Sequence, residues 1–333
     1  MLGFRLRLRP EVRIGLVAAL VALAPPATGQ TPASPVFPRA PGAAFRVLSW
    51  NVSRSGFLEH PAAFRGLVRA VDPDLFLLDE VDGTHGPDDL RSVLRGLRGG
   101  GDTVWHVSIG TGGGYQRGAI ASREPVEAAP EFARLPYPDS VVRDLLIGAD
   151  SIRESLVRHL RAGVAAHGAV VRAGGRRLLV VTVDLQCCGV AATWEERRRV
   201  FEARTIRQAT RDALHRDSVH GLLIAGDLNL VATAIPLAML LGPYRAPHAG
   251  LIPAEAYHRD GRRVWTWDGR GTPFESKPLD FQLYGPAALE RLSGLVLDSE
   301  ALTAEELAAL GIDADASRLI SDHRPVVVDY RWR

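Results

Sequence analysis

Five stretches of this chain place carboxylate, amide or imidazole groups beside short apolar runs. Asn51 follows Phe45–Trp50, Asp79-Glu80 follows Leu75–Leu78, and Gly226-Asp227-Leu228-Asn229 follows Leu222–Ala225. Asp280 opens the run from Phe281, and Ser321-Asp322-His323 precedes Val326–Tyr330. Oxygen donors of this kind suit a hard divalent cation, which takes octahedral oxygen ligands and keeps several waters. Glu80 and Asp322 with the Asn51 amide would supply them, which points to Mg²⁺, with Mn²⁺ as the alternative. Such an ion neutralises charge on a phosphate oxygen. Asp227 is the candidate to orient a water and take its proton. Asn229, two residues on, lies on the same side of an extended backbone and can hold the water or a phosphate oxygen. His323 paired with Asp280 would have its tautomer fixed and its cationic form favoured, and a cationic imidazole stabilises negative charge developing on phosphate. Each group alone has an ordinary explanation: a Gly-Asp-x-Asn turn is usually only a turn, and a lone Glu80, Asp322 or His323 is a surface charge or a turn residue. All of them at the ends of strands is the informative pattern, because a rigid sheet holds such groups in a fixed constellation.

The elements that must position these groups follow from apolar patterning. Further buried strands are expected at Val104–Ser108, Ala119–Ser122, Ala169–Arg172, Leu178–Asp184 and Phe281–Tyr284. Ala173-Gly174-Gly175-Arg176 reads as a hairpin turn. Helical periodicity runs through Ala62–Val71, where Phe64, Leu67, Val68 and Val71 share a face, and through Leu90–Leu97. The longest helix is expected over Trp194–His215, with Thr193 and Glu196 spaced as a capping box. Ala304–Leu310 is expected to start at Thr303 and stop at Gly311. Residues 151–160 are expected to be helical within an insertion of about 131–165 that carries no readable motif. Trp265-Thr266-Trp267 is expected in the core, since aromatics mostly bury. Strands and helices alternate, so the expected fold class is α/β, with packed sheets flanked by helices.

Length and composition set the frame. A chain of 333 residues with 46% hydrophobic content can bury a substantial core. Arg5, Arg7, Arg9 and Arg13 precede the apolar run Ile14–Ala24, then Pro25-Pro26 and the small-residue triplet Ala27-Thr28-Gly29. That is the layout of a secretory signal peptide over residues 1–29, with an uncleaved anchor as the other reading. It predicts a secreted or periplasmic protein with no stable membrane insertion after cleavage. Residues 30–44 read as a flexible lead-in, and 45–333 as one domain. The chain has 40 basic and 38 acidic residues. Removing the leader's four Arg and one Glu leaves 36 against 37, about −1. A strongly basic footprint for a nucleic-acid backbone is therefore absent from the net charge. The two cysteines, Cys187 and Cys188, are adjacent and cannot form a disulfide framework.

The ordered set Leu48-Ser49-Trp50-Asn51-Val52, Asp72-Pro73-Asp74-Leu75-Phe76-Leu77-Leu78-Asp79-Glu80-Val81, Gly118-Ala119-Ile120-Ala121-Ser122-Arg123, Ala225-Gly226-Asp227-Leu228-Asn229, Leu279-Asp280-Phe281 and Ser321-Asp322-His323-Arg324-Pro325-Val326 resembles the endonuclease/exonuclease/phosphatase superfamily. The resemblance implies a four-layer α/β sandwich of two packed mixed β-sheets flanked by helices. It implies a metal site at Glu80 with Asn51 and Asp322 nearby, Asp227 and Asn229 on the water and the phosphate, and an Asp280–His323 pair. The chain departs from the pattern twice. Asp79 stands where members often carry Gln. Thr182-Val183-Asp184-Leu185 aligns with a strand end in which many carry His, so Asp184 occupies the place of a leaving-group acid and needs a raised pKa or a metal contact to serve there. Arg161 sits where some members carry a phosphate-binding Arg.

These observations point to an exported Mg²⁺-dependent phosphoester hydrolase, most simply a phosphodiesterase, with in-line attack of an activated water on phosphorus. The substrate is a phosphoester: a small molecule, a lipid headgroup or a nucleic acid, with the near-neutral mature charge favouring the first two. A nuclease of the same fold and a non-catalytic binding module that retains the fold are the alternatives. No protein partner is evident.

Overall fold

The computed structural model describes residues 35–97 and 104–333. The expected leader over 1–29 and the first part of the lead-in lie outside those residues. Two six-stranded sheets form the centre. Across the first run β11 (Leu289–Val296), β12 (Val326–Trp332), β1 (Phe45–Arg54), β2 (Leu75–Val81), β4 (Arg117–Ser122) and β3 (His106–Ile109). Across the second run β5 (Val126–Ala128), β6 (Ala166–Ala173), β7 (Arg176–Asp184), β8 (Gly221–Asp227), β10 (Asp280–Tyr284) and β9 (Ile252–Pro253). Both sheets are mixed: β1–β2 and β7–β8 pair in parallel, and the other pairs are antiparallel.

The sheets pack through one set of alternate residues and cover their outer faces with helices. In β1, Val47 faces the inter-sheet core with Leu75, Leu77, Val180, Leu223 and Val328. Its neighbours Leu48, Trp50 and Val52 face the helical layer of α2 (Pro61–Val71), α3 (Pro87–Leu94), α8 (Ala304–Leu310) and α9 (Ala316–Ile320). On the far side, Leu179, Val181, Leu222 and Ile224 pack under α6 (Trp194–Arg216) and α7 (Ile235–Leu240). Two periods of 2.0 against two periods of 3.6 thus give four layers. Each fully buried Leu or Val in them contributes about 1.5–3 kcal/mol relative to exposure. Every central strand is covered on both faces, which is why these strands read as continuous apolar runs.

The helices at 62–71, 90–97, 194–215 and 304–310 form within a few residues of the expected bounds. Gly174 and Gly175 both adopt positive φ in the hairpin between β6 and β7, as the sequence Gly-Gly requires there. Thr303 and Glu306 cap α8 reciprocally, at 3.2 and 2.8 Å, and Gly311 ends it at φ 67°. The capping box expected at Thr193 and Glu196 does not form. Thr193 Oγ1 donates to the Val190 carbonyl, and the Glu196 carboxylate is taken by Arg199 and Thr233. Elements α1 (Gly56–Glu59), α4 (Asp139–Leu145), α7, α9, β5, β9 and β11 escape apolar patterning because they are short or lie at an edge with polar faces. Residues 35–44, expected as a flexible lead-in, are tied down. Phe37 N–H donates to the Ala70 carbonyl, Ala40 N–H to Asp329, and Arg46 donates to the Phe37 and Pro38 carbonyls.

Candidate active site

Strand register assembles the site. Asp184, Asp227 and Asp280 are direct neighbours across β7, β8 and β10. Facing them, Asn51 and Asp79 are direct neighbours across β1 and β2. Alternation puts Asn51 and Asp79 on the same side as Val47, Leu75 and Leu77, toward the second sheet. Glu80 would then point the other way. A register break after Asn51 and Leu78, together with φ 54° at Glu80, turns it back toward the site. A bulge of this kind is the usual device for re-aiming one side chain. The Asn51 amide nitrogen donates to Glu80 Oε1 at 3.0 Å and lies 3.5 Å from Asp227 Oδ2.

The Gly-Asp-x-Asn segment holds Asp227 by two donors. The Asn229 backbone N–H reaches Oδ1 at 2.8 Å, and its amide reaches Oδ2 at 3.0 Å. The same amide donates to the Leu185 carbonyl at 2.8 Å. Gly226 is required for a steric reason: its φ is 135°, and a Cβ there would lie 2.0 Å from the Val183 carbonyl oxygen. His323 Nδ1 sits 2.7 Å from Asp280 Oδ2, which leaves Nε2 3.7 Å from Asp227 Oδ2. One ligand atom from each of Asp227, Asp280 and His323 falls within a 4.8 Å cluster, the one such trio among the described residues. Burial drives the Asp227 carboxyl up to about 8, with Asp280 and Glu80 adding to it and His323 and the Asn229 N–H opposing. Burial alone would lower the His323 pKa, but Asp280 and Asp227 outweigh it and raise it well above the usual imidazole value.

Asp322 belongs to the rim. Its Oδ2 accepts from Trp267 Nε1 at 2.8 Å and its Oδ1 from Ser53 Oγ at 3.4 Å. Ser53 N–H in turn donates to Asn51 Oδ1 at 3.1 Å, so Asn51 and Asp322 share one neighbour. Arg161 ends α5 (Arg153–Arg161) with an exposed side chain, and no hydrogen bond or ion pair among the described residues ties it to the site. Asp184 joins the row with both carboxyl oxygens buried and without a hydrogen-bond partner, as are those of Asp79. Burial first, then the neighbouring carboxylates, raises both pKa values well above the usual range.

Several supporting residues carry no motif of their own. The Trp265-Thr266-Trp267 segment, expected in the core, forms a shell around the site. Thr266 Oγ1 accepts from the Asp280 and Leu279 N–H groups, at 2.9 and 3.0 Å. Trp267 holds Asp322, and Trp265 packs against His258 and between Arg270 and Arg324. Both indoles are half-buried: Trp267 donates its Nε1–H to Asp322, and Trp265 lies under the guanidinium groups of Arg270 and Arg324. Arg324 is fully buried and donates to Asp268, Asp298 and the Ser321 carbonyl, which fixes the turn bearing Asp322 and His323. On α6, Glu202 accepts from Gln186 N–H at 2.7 Å, and Arg199 donates to the Gln186 and Cys188 carbonyls at 2.7 and 2.6 Å. Glu196 accepts from Thr233, so one helix pins the segments that follow both Asp184 and Asn229. Cys187 and Cys188 are free thiols on that segment.

The model of the endonuclease/exonuclease/phosphatase family matches residues 48–323, from within β1 to His323. The chain belongs to the endonuclease/exonuclease/phosphatase family. That family's name covers nucleases and phosphatases, which are hydrolases of phosphoesters. No protein of curated function matches by sequence. Solved structures share the fold. The human Nocturnin catalytic domain with bound sulfate is 16% identical at TM-score 0.52, over 87% of this chain and 93% of that one. A 3'-5' exonuclease from Neisseria meningitidis is 18% identical at 0.54, over 86% and 100%. Truncated Caenorhabditis elegans TDP2 is 14% identical at 0.52, over 87% and 98%. At these identities the likeness concerns the sandwich alone. In this family member the two-sheet architecture, the buried Asp227–Asp280–His323 trio and the Asn51–Glu80 contact occur at one rim.

The residues fit a divalent ion of the hard type. Asn51, Glu80 and Asp322 offer only oxygen ligands, and the Asn51 NH₂ lies between the Glu80 and Asp227 carboxylates, where a cation would relieve the same repulsion.

Proposed function

We propose that this chain is an exported, Mg²⁺-dependent phosphodiesterase that hydrolyses small-molecule or lipid-headgroup phosphodiesters. The observation that carries the reading is the convergence of Asp227, Asp280 and His323 within 4.8 Å, opposite Asn51 and Glu80. Export rests on the basic, apolar and small-residue layout of residues 1–29.

Glu80, Asn51 and Asp322 would hold the ion, which when bound supplies charge neutralisation at a phosphate oxygen. Asp227 accepts a hydrogen bond from the attacking water and takes its proton; the Asn229 N–H and amide fix the carboxylate that does so. His323, kept cationic by Asp280, presents Nε2 to the phosphate and stabilises negative charge as the P–O bond to the leaving group breaks. The buried row excludes bulk water, so these charges act at low dielectric.

The test uses a bis-aryl phosphodiester, with phenolate release followed in Mg²⁺, Mn²⁺ and EDTA. Asp227→Ala and His323→Ala are expected to cost about 10²-fold or more in kcat. Wild-type rates in both variants would show that the roles are wrongly assigned. Plasmid cleavage with steep salt dependence would move the substrate to nucleic acid. Among the described residues no helix is long and apolar enough to cross a membrane.

A further inference from the structure

The two cysteines of the chain stand side by side on the segment that follows β7, and both are exposed. Their Sγ atoms lie 2.8 Å apart. The backbone that carries them is held firmly. Arg199, fully buried on α6, donates to the Gln186 and Cys188 carbonyls at 2.7 and 2.6 Å. Glu202 accepts from the Gln186 N–H at 2.7 Å, and the Gln186 amide donates to the Cys187 carbonyl at 2.9 Å. Cys188 takes φ 68°, a left-handed conformation that costs a non-glycine residue about 1 kcal/mol or more and persists only where its surroundings over-determine it. Folding has therefore already met the entropic cost of bringing the two sulfurs together.

Paired thiols suit either a soft metal or a bond between the sulfurs. A structural thiolate site takes four tetrahedral ligands, and among the described residues no His, Asp or Glu joins the two cysteines in a cluster of three. A sulfur–sulfur bond needs only one thiolate and a disulfide for it to attack. Its hydrogen bond with Cys187 draws the Cys188 thiol down to about 6, and the same bond pushes the Cys187 thiol up. Cys188 is thus the attacking sulfur and Cys187 the resolving one. Cys187 also lines a cavity of 260 Å³ with Gln116, His159, Asp184 and Gln186, so a change at this pair falls on the wall of the space beside Asp184.

We infer that Cys187 and Cys188 form a covalent modification site, a vicinal dithiol that a low-molecular-weight disulfide such as glutathione disulfide closes reversibly to an intramolecular disulfide. In the first step the Cys188 thiolate attacks one sulfur of the small disulfide; a mixed disulfide forms and one small thiolate leaves. In the second step the Cys187 sulfur gives its proton to solvent and attacks Cys188 Sγ; the Cys187–Cys188 bond forms and the second small thiolate leaves. The protein gives up two hydrogens and two electrons, and one small disulfide becomes two thiols. Adjacent Cα atoms stand about 3.8 Å apart across a trans peptide, nearer than the roughly 4.4–6.8 Å usual for a disulfide. The bond is therefore strained, and strained, exposed disulfides are the readily reduced ones. This chemistry is separate from phosphodiester hydrolysis and holds whether or not that reading stands.

The experiment treats the purified, reduced chain with glutathione disulfide without denaturant, then alkylates it with iodoacetamide in denaturant and reads the intact mass. The wild type is expected to lose two hydrogens, to carry no alkyl group and no glutathione, and to regain both alkylatable thiols after dithiothreitol. Cys187→Ser is expected to stop at the mixed disulfide and retain one glutathione, because the resolving sulfur is gone. A wild-type chain that still takes two alkyl groups, that keeps a stable glutathione adduct, or that runs as a disulfide-linked dimer on a non-reducing gel overturns the proposal. These three readouts come from the wild type, so they decide the matter even should the serine variant not fold.

Discussion

Nδ1 of His323 lies 2.7 Å from Oδ2 of Asp280, and this contact fixes which ring nitrogen faces Asp227. Asp280 is held in turn by Thr266 through its backbone N–H. Asp280→Asn keeps the shape and removes the charge that sustains the imidazolium. The expected cost is about 10–100-fold in kcat on a bis-aryl phosphodiester, with KM changed little. The alkaline limb of the kcat profile is expected to move to lower pH, because the His323 pKa is raised by Asp280 and loses that support. An unaltered limb would remove His323⁺ from the mechanism.

Removing divalent ions is expected to destabilise the fold as well as to stop the reaction. The carboxylates of the row stand against each other at low dielectric, and an ion that binds only the folded state stabilises it by about 3–4 kcal/mol at 100–1,000 times its Kd. Differential scanning fluorimetry in EDTA and in Mg²⁺ measures the difference. A melting temperature indifferent to both Mg²⁺ and Mn²⁺ would favour the non-catalytic binding module.

Gly226→Ala tests the backbone of the Gly-Asp-x-Asn segment. The added methyl meets the Val183 carbonyl at 2.0 Å at a φ of 135°, so either β7 and β8 separate or the turn distorts. A loss of about 3 kcal/mol or more in urea unfolding is expected. A change within about 0.5 kcal/mol, the size of an ordinary surface substitution, would mean that the strands tolerate the shift.

His167 gives a pH dependence independent of the metal site. It is buried on β6, hydrogen-bonded to Ser108 at 2.8 Å, and burial lowers its pKa to about 4. The unfolded chain therefore binds the proton first. Stability is full above the unfolded value of 6.5 and falls as pH drops from there toward 4, by up to about 3 kcal/mol. Thermal melts across that window, compared with His167→Gln, should show a shallower slope in the variant. Identical slopes would assign the acid sensitivity to other groups.

Much of this architecture is written locally. The runs Phe45–Trp50, Leu178–Asp184 and Leu222–Ala225 are apolar on both sides because their strands are covered on both sides, and a 3.6-residue period in Ala62–Val71 reports a helix on a flat apolar surface. α6 is the instructive exception. Its buried face carries Glu196, Arg198, Arg199 and Glu202, with partners at Gln186, Cys188 and Thr233 outside the helix, so Glu196 binds Arg199 and Thr233 instead of closing a local capping box.

Local sequence already places Glu80, Asp227, Asn229, Asp280, Asp322 and His323 at or beside strand ends, and Asn51 near the end of β1, which runs on to Arg54. Residue type and a two-residue period suffice for that. Tertiary structure alone decided that Glu80 turns inward through a bulge, that Trp267 and Thr266 serve Asp322 and Asp280 instead of the core, and that Asp184 and Asp79 are buried without donors. These are properties of register and burial. They depend on which strand lies beside which, and residues 51 to 323 meet only when both sheets have closed.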